Sequence, residues 1–209
     1  MICERLGVGM TNAIEKIQSE HSEYERVLSC LCAVVRYFRV YDMQRLRAPG
    51  LKMRAKVRPD LDLLFSIIYY IRIFPDNFHH PKEERYLFRA VRKRSPKTGD
   101  ILDQLVRQHA IAARQVAELD AALKAYEKHY PNGLEDLTVT AESFVALQRK
   151  HMRLEEEKVI PVAKAVLTQD DWREIDNAFA SYSDPLFGEN LETAFQSLHD
   201  RIVHGVEAA

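Results

Sequence analysis

The chain has 209 residues, 46% of them hydrophobic and 29% charged, as in ordinary globular proteins. Its formal net charge of −1 creates no field that would select nucleic acid or an acidic membrane. With no apolar run of transmembrane length and no secretory leader, we expect a cytoplasmic protein without a membrane or nucleic-acid partner. The 7 glycines and 8 prolines favour long helices, and the 3 cysteines fit free thiols in a reducing compartment.

The first predicted helix begins near Thr11 and Asn12, which are both acceptable N-caps. One apolar stripe recurs along it at three- and four-residue steps, and a single histidine, His21, interrupts that stripe. The members of this stripe are Ile14, Ile17, His21, Leu28, Cys32 and Val35. A histidine in such a position is usually a core residue with its hydrogen bonds satisfied. His21 is therefore a candidate ligand only because similar residues occur in the other helices.

Residues 43–59 break the helical pattern, with a turn signal at Pro49-Gly50. Six basic residues follow one another there with no acidic residue between them: Arg45, Arg47, Lys52, Arg54, Lys56 and Arg58. The segment is predicted to be a loop that crosses the bundle, and a site for an anion or a protein partner is the alternative.

The second predicted helix opens at Pro59-Asp60 and should run through Tyr86, with Pro75 and Pro81 inside it. Each proline removes a backbone donor, so we expect a kink or bulge just before His79. In a straight helix Arg72 would share the face of His79 and place a charge in the core. A bulge near Pro75 would rotate Arg72 away from that face.

The third and fourth helices repeat this pattern after the turn at 93–100. His109 interrupts the apolar stripe of the third helix, which ends near the surface residue His129. The fourth helix is predicted over Val139–Leu167, with His151 and Glu155 on its inner face. We therefore predict an all-α, up-down-up-down four-helix bundle over 12–168, with additional C-terminal helices over 169–209 packed on it.

The sequence contains two His-x-x-x-Glu pairs, His79/Glu83 and His151/Glu155. Residues i and i+4 share a helix face, so each pair directs an imidazole and a carboxylate to one spot. One such pair is weak evidence, since exposed pairs occur by chance. Two pairs, each preceded by a histidine on an apolar stripe, predict a metal site. The rival pair in the second helix is His80/Glu84.

Six buried donors that converge in a core require a cation, and paired carboxylates need charge compensation. We predict two metal ions held by His21, His79, Glu83, His109, His151 and Glu155. One ion takes the first two histidines, the other takes the last two, and both glutamates bridge. Imidazole and carboxylate donors suit iron, with manganese or zinc as substitutes. The remaining positions are open to an oxo or hydroxo bridge and an exogenous ligand.

Four segments resemble the hemerythrin-like (HHE cation-binding) family of non-haem di-iron proteins over roughly residues 12–167. They are SEH at 19–21, HHPKEERYLF at 79–88, RQH at 107–109 and HMRLEEEKVIP at 151–161. Oxygen-carrying members of that family have a further histidine at the position of Leu105. Its lack here implies a more open and more symmetric site. Tyr24 then either approaches the vacant position or packs in the core.

The resemblance implies a di-iron protein that binds or reacts with a small oxidant (O2, peroxide or NO) in redox stress response or sensing. The alternative is a regulatory or iron-handling module whose metal state controls a protein partner. A purely structural metal bundle is a third reading. His199 and His204, which lack a carboxylate at ligand spacing, are predicted to be surface residues.

Overall fold

The computed structural model describes residues 12–47 (the backbone alone over 41–47), residues 61–180 and Asp200. In this part of the chain all regular structure is helical. The first bundle helix is α1 (Asn12–Arg47) and the third is α5 (Gly99–His129). The second, over 61–94, joins α2 (Leu61–Phe74), a π segment (Pro75–His79), α3 (His80–Lys82), a π segment (Glu83–Phe88) and α4 (Arg89–Arg94). The fourth joins α6 (Leu134–Leu154), a π segment (Glu155–Val159) and α7 (Ile160–Val166).

The four bundle helices form a closed square, in which each packs against the next and the fourth packs against the first. Their apolar residues form two separate clusters. One cluster includes Leu28 and Leu119, and the other includes Ile17 and Leu102. The second cluster contains residues from the N-terminal parts of the first and third helices and from the C-terminal parts of the second and fourth helices. This alternation confirms the predicted all-α, up-down-up-down bundle.

A polar layer lies between the two apolar clusters. In each bundle helix, the stretch between its two apolar contributions carries buried histidine, and in the second and fourth helices it also carries buried glutamate. A layer of this kind is costly to bury unless its members satisfy one another or a bound ion. The bundle is therefore built around a polar centre.

The helical winding changes where the second and fourth helices enter this layer. The His80 N–H bonds to the Pro75 carbonyl, and the Ile160 N–H bonds to the Glu155 carbonyl, each five residues back. Pro75 cannot donate a hydrogen bond, so it favours the wider π turn. The predicted bulge before His79 is confirmed, and Arg72 is exposed as expected.

Two predicted helix boundaries differ from the structure. The first helix continues to Arg47, so Arg45 and Arg47 lie on it rather than in a loop; residues 43–47 are good helix formers and Pro49 follows shortly after. The fourth helix begins at Leu134, not at Val139. Gly133, with φ of +94°, closes the short turn from α5 and allows this earlier start.

A further helix, α8 (Gln169–Ala180), packs Trp172, Ile175 and Phe179 into the second apolar cluster. Thr168 and Asp171 cap its start reciprocally, through the Thr168 N–H to Asp171 Oδ2 (2.9 Å) and the Asp171 N–H to Thr168 Oγ1 (3.3 Å). The rest of the predicted C-terminal extension, over 181–209, lies outside the described residues except for Asp200. The division into a bundle over 12–168 and an extension over 169–209 therefore stays a prediction.

Within 12–47 and 61–180, no helix is both long and apolar enough to cross a membrane. Cys30 is buried and Cys32 is partly buried, and both are free thiols.

Candidate metal centre

All six predicted ligands are buried in the polar layer, and the structure adds a seventh donor, His80. They form two groups, in each of which one donor atom per residue lies within 4.8 Å of the others. The first group is His21, His79, Glu83 and Glu155, and the second group is His80, His109 and His151. The predicted pairings of His21 with His79 and of His109 with His151 are thus reproduced as spatial groups.

In the first group, two histidines from different helices point the same ring nitrogen at each other. His21 Nε2 lies 3.1 Å from His79 Nε2, and Glu83 Oε1 lies 2.7 Å from the latter. Glu155 Oε2 is 3.6 Å from His21 Nε2. The first and second helices therefore meet the fourth at one cluster of four donors.

In the second group, His109 Nε2 lies 3.3 Å from His151 Nε2. The ring of His80 stacks on that of His109, with centroids 3.8 Å apart and planes 12° apart. The sequence suggested His80 as a substitute for His79, whereas both are buried, each in its own group. Adjacent residues of an ideal α-helix point about 100° apart, and the π turn between Pro75 and His80 changes the winding at this point.

His80 overturns the expectation of a symmetric site. The Leu105 position does lack a donor, since this side chain is fully buried in the second apolar cluster. The second helix supplies a histidine beside His109 instead. The candidate centre therefore has three histidines on one side and two on the other, so it is lopsided.

Glu83 reaches both groups. Its Oε1 is 2.7 Å from His79 Nε2, and its Oε2 is 3.5 Å from His109 Nε2. One carboxylate thus presents a different oxygen to each side, as a bridging ligand does. Glu155 belongs to the first group, because its Oε2 lies 3.6 Å from His21 Nε2.

The glutamate oxygens test whether these residues suit a bound cation. Glu83 and Glu155 are fully buried, and no described residue gives any of their four carboxylate oxygens a correctly oriented hydrogen bond. A buried carboxylate left in that state is strongly unfavourable, and two side by side also repel each other. A cation among imidazole nitrogens removes both costs, so the donor set fits a metal of the iron, manganese or zinc type.

Four of the five histidines have their outer ring nitrogen held by a neighbour. His21 Nδ1 bonds to Glu156 Oε1 at 2.8 Å, and His79 Nδ1 bonds to Glu20 Oε2 at 2.7 Å. This contact fixes the ring and turns its Nε2 inward, as outer partners of metal-bound histidines do.

The other pair of helices repeats these contacts. His109 Nδ1 bonds to Glu84 Oε1 at 2.6 Å, and His151 Nδ1 bonds to Gln108 Oε1 at 3.2 Å. His80 Nδ1 lies 3.3 Å from Asp76 Oδ1, without hydrogen-bond geometry.

These outer partners were not predicted, although their positions next to the predicted ligands in the sequence indicate them. Glu20 and Gln108 directly precede a predicted ligand, and Glu84 and Glu156 directly follow one. Each residue next to a ligand points about 100° away from it, toward the neighbouring helix. That offset lets one helix orient a histidine of the next.

In the metal-free site, the pKa shifts of the histidines in the two groups differ in direction. Burial opposes a charged His79, but Glu83 and Glu20 outweigh it and raise the pKa of this imidazole well above its usual value. Burial, with Glu83 beside it, raises the pKa of Glu155 well above its usual value. Burial lowers the pKa of His109 to about 3, helped by the stacked His80. Without metal, the first group therefore holds protons in place of a cation.

Metal uptake is consequently expected to release protons from His79 and Glu155. Both pKa values are raised, so both groups are protonated below their folded values and must lose the proton to bind metal. Affinity should therefore rise with pH. A pH-indicator titration in weak buffer measures the release. Uptake without proton release would contradict this charge distribution.

A small cavity adjoins both groups, with about 10 Å³ of room for the centre of a water-sized molecule. Tyr24, Gln148 and Met152 line it together with the histidines. Burial raises the pKa of Tyr24 well above its usual value. An outer groove of about 470 Å³ lies against the same region and shares His21 and Met152 with the cavity. These two side chains therefore separate the cavity from the groove.

A four-helix bundle with a central histidine–glutamate cluster defines a class of helical metal-binding proteins. The model of the hemerythrin HHE cation-binding domain matches residues 12–163, and the chain belongs to this family. No curated protein matches the chain. The family resemblance noted from the four motifs is confirmed, and with it cation binding as the general property of the domain. Of the remaining histidines, His129 is exposed as predicted, and His199 and His204 lie outside the described residues.

Proposed function

We propose that this protein is a non-haem di-iron protein that binds and reacts with a small oxidant (O2, peroxide or NO) in redox stress response or sensing. The observation that carries the proposal is the pair of buried glutamates, Glu83 and Glu155, whose oxygens find no hydrogen-bond donor among the described residues. Five histidines surround them. Manganese and zinc are the substitutes that the same donors would accept. We place the protein in the cytoplasm.

One ion would be held by His21 and His79, and the other by His80, His109 and His151. Glu83 and Glu155 would bridge them, with an oxo or hydroxo bridge completing the pair. Iron at such a site supplies reversible redox chemistry and open positions for a small ligand. The outer carboxylates and the amide of Gln108 fix the imidazole rings. The apolar clusters above and below exclude bulk water.

The polar lining of the cavity favours reaction over reversible carriage. The lack of a histidine at Leu105 does not separate an oxygen carrier from a reactive protein, because His80 supplies a donor beside His109. The cavity instead carries the Tyr24 hydroxyl and the Gln148 amide, which both donate protons in hydrogen bonds. Hydrogen bonds from these groups would stabilise the negative charge that a small oxidant acquires on reduction, which favours reaction over reversible binding.

Reduced, iron-loaded protein is therefore expected to oxidise irreversibly when O2 is added. Stopped-flow absorbance would follow the conversion to a stable ferric form, and degassing should return no O2. Zinc-loaded protein, which has no accessible redox change, is the control and should show no spectral change. An oxygenated species that lasts for minutes and releases O2 on degassing would show that the protein is a carrier.

One contact favours the alternative, a module whose metal state controls a protein partner. Helix α8 packs against the π segment that begins at Glu83, and the Lys82 ammonium lies 5.7 Å from the centroid of the Phe179 ring. A change in the position of Glu83 would reach α8 through this contact. A partner that binds only the metal-loaded or only the metal-free protein would favour this alternative.

A further inference from the structure

The two halves of the centre carry equivalent donors, with His21, His79 and Glu83 against His109, His151 and Glu155, but the residues beside these donors differ. His80 follows His79, whereas Met152 follows the equivalent His151. Tyr24 stands three residues after His21, whereas Ala112 stands three residues after the equivalent His109. The first half thus has an additional imidazole where the second half has a thioether, and it has a phenol where the second has a methyl group.

The Tyr24 hydroxyl occupies an unusual position. The side chain is 5% exposed, and its oxygen has no hydrogen-bond partner among the described residues. Tyrosine hydroxyls that are buried usually find a partner, because leaving one unpaired costs free energy. Tyr24 also lines the small cavity beside His21 and His79. The missing partner is therefore expected to be something that enters this cavity.

The size and lining of the cavity limit what that partner is. Its room of about 10 Å³ suits one water-sized molecule or one end of a small linear ligand. His21 and His79 of the first group and His80 and His151 of the second group all line it, so the entering molecule lies beside both groups of the centre. A phenol donates one hydrogen bond, which suits a ligand that carries negative charge or a lone pair.

We propose that Tyr24 is the hydrogen-bond donor to the small ligand that binds beside His21 and His79. The inference rests on the proposed di-iron function and adds a ligand-positioning residue to it. Tyr24 thus determines which small molecules are held, favouring those that accept a hydrogen bond at this end of the cavity.

The test uses azide with the iron-loaded, oxidised full-length protein. Tyr24→Phe removes only the hydroxyl and should weaken azide binding about tenfold to a hundredfold, the usual cost of a hydrogen bond to a charged group. Tyr126→Phe is the matched control, since Tyr126 is fully buried and stacks on Phe38 away from the cavity. The control should leave azide affinity unchanged, and both variants should keep the wild-type iron content.

Infrared spectroscopy of bound azide gives a second measurement, made first on the wild-type protein. The azide stretch of the wild-type protein should shift on exchange into D2O, because its hydrogen-bond donor exchanges, and Tyr24→Phe should abolish the shift. If wild-type protein binds azide without this shift, or Tyr24→Phe binds azide as tightly as wild type, the role of Tyr24 is overturned while the di-iron proposal stands. Loss of iron in Tyr24→Phe would make Tyr24 a metal ligand and overturn the donor role. Wild-type protein that binds no iron would overturn both proposals.

Discussion

Replacing Glu155 with alanine is expected to remove both metal ions. Its carboxylate is fully buried and lies 3.6 Å from His21 in the first group. As the proposed bridge, this carboxylate would bind both ions. Without it, each ion loses a donor, and the negative charge that offsets the repulsion between the two ions is lost as well. Outer partners alone change metal affinity about 10- to 100-fold, and a shared ligand should exceed that range. Metal analysis after dialysis measures the loss.

Glu157→Ala is the matched control, because Glu157 lies in the same π segment but is exposed. It should keep the full metal content. Thermal unfolding of the metal-free proteins shows whether either substitution disturbs the bundle itself. Two ions per chain at native affinity in Glu155→Ala would show that Glu155 is not a bridging ligand.

Replacing His80 with leucine is expected to weaken one metal position by more than about 100-fold and to leave the other largely intact. His80 stacks on His109 and groups with His151, so only that side loses an imidazole. Metal content should fall from about two ions to about one. Titration with competing chelators resolves the two affinities.

Two comparison variants make the experiment with His80 decisive. His129→Leu removes an exposed histidine at the end of α5 and should change nothing. His79→Leu should weaken the opposite side of the centre, since His79 groups with His21. If His80→Leu binds both ions normally, the four-histidine set predicted from the sequence is the correct one. If only His80→Leu loses metal and His79→Leu does not, the rival pair His80/Glu84 is correct.

The helical period was sufficient to predict the architecture and the principal donors. Residues i and i+4 share a helix face whatever the fold, so His79/Glu83 and His151/Glu155 could be read from spacing alone. His21 and His109 followed because a polar residue in an apolar stripe requires a partner. The structure brings these six side chains together in two groups that share Glu83 as their link.

His80 could not be predicted as a member of the second group by the same reasoning. Neighbouring residues point about 100° apart in a regular helix, and a change in winding is needed for both to enter one centre. The sequence indicated a bulge through Pro75 but not how far it turns the chain. The outer partners Glu20, Gln108, Glu84 and Glu156 were missed for another reason, since they act between helices and depend on how the helices are packed.

The matching contacts of the two helix pairs show that the centre consists of two copies of one arrangement of histidines and outer partners. The copies differ beside the ligands, where His80 stands against Met152, Tyr24 against Ala112, and Glu20 against Gln108. A strictly duplicated arrangement would hold two equivalent ions. In the proposed pair, these differences would give the two ions unequal donor sets, with three imidazoles for one and two for the other, so the two positions should differ in affinity and in the order in which they fill.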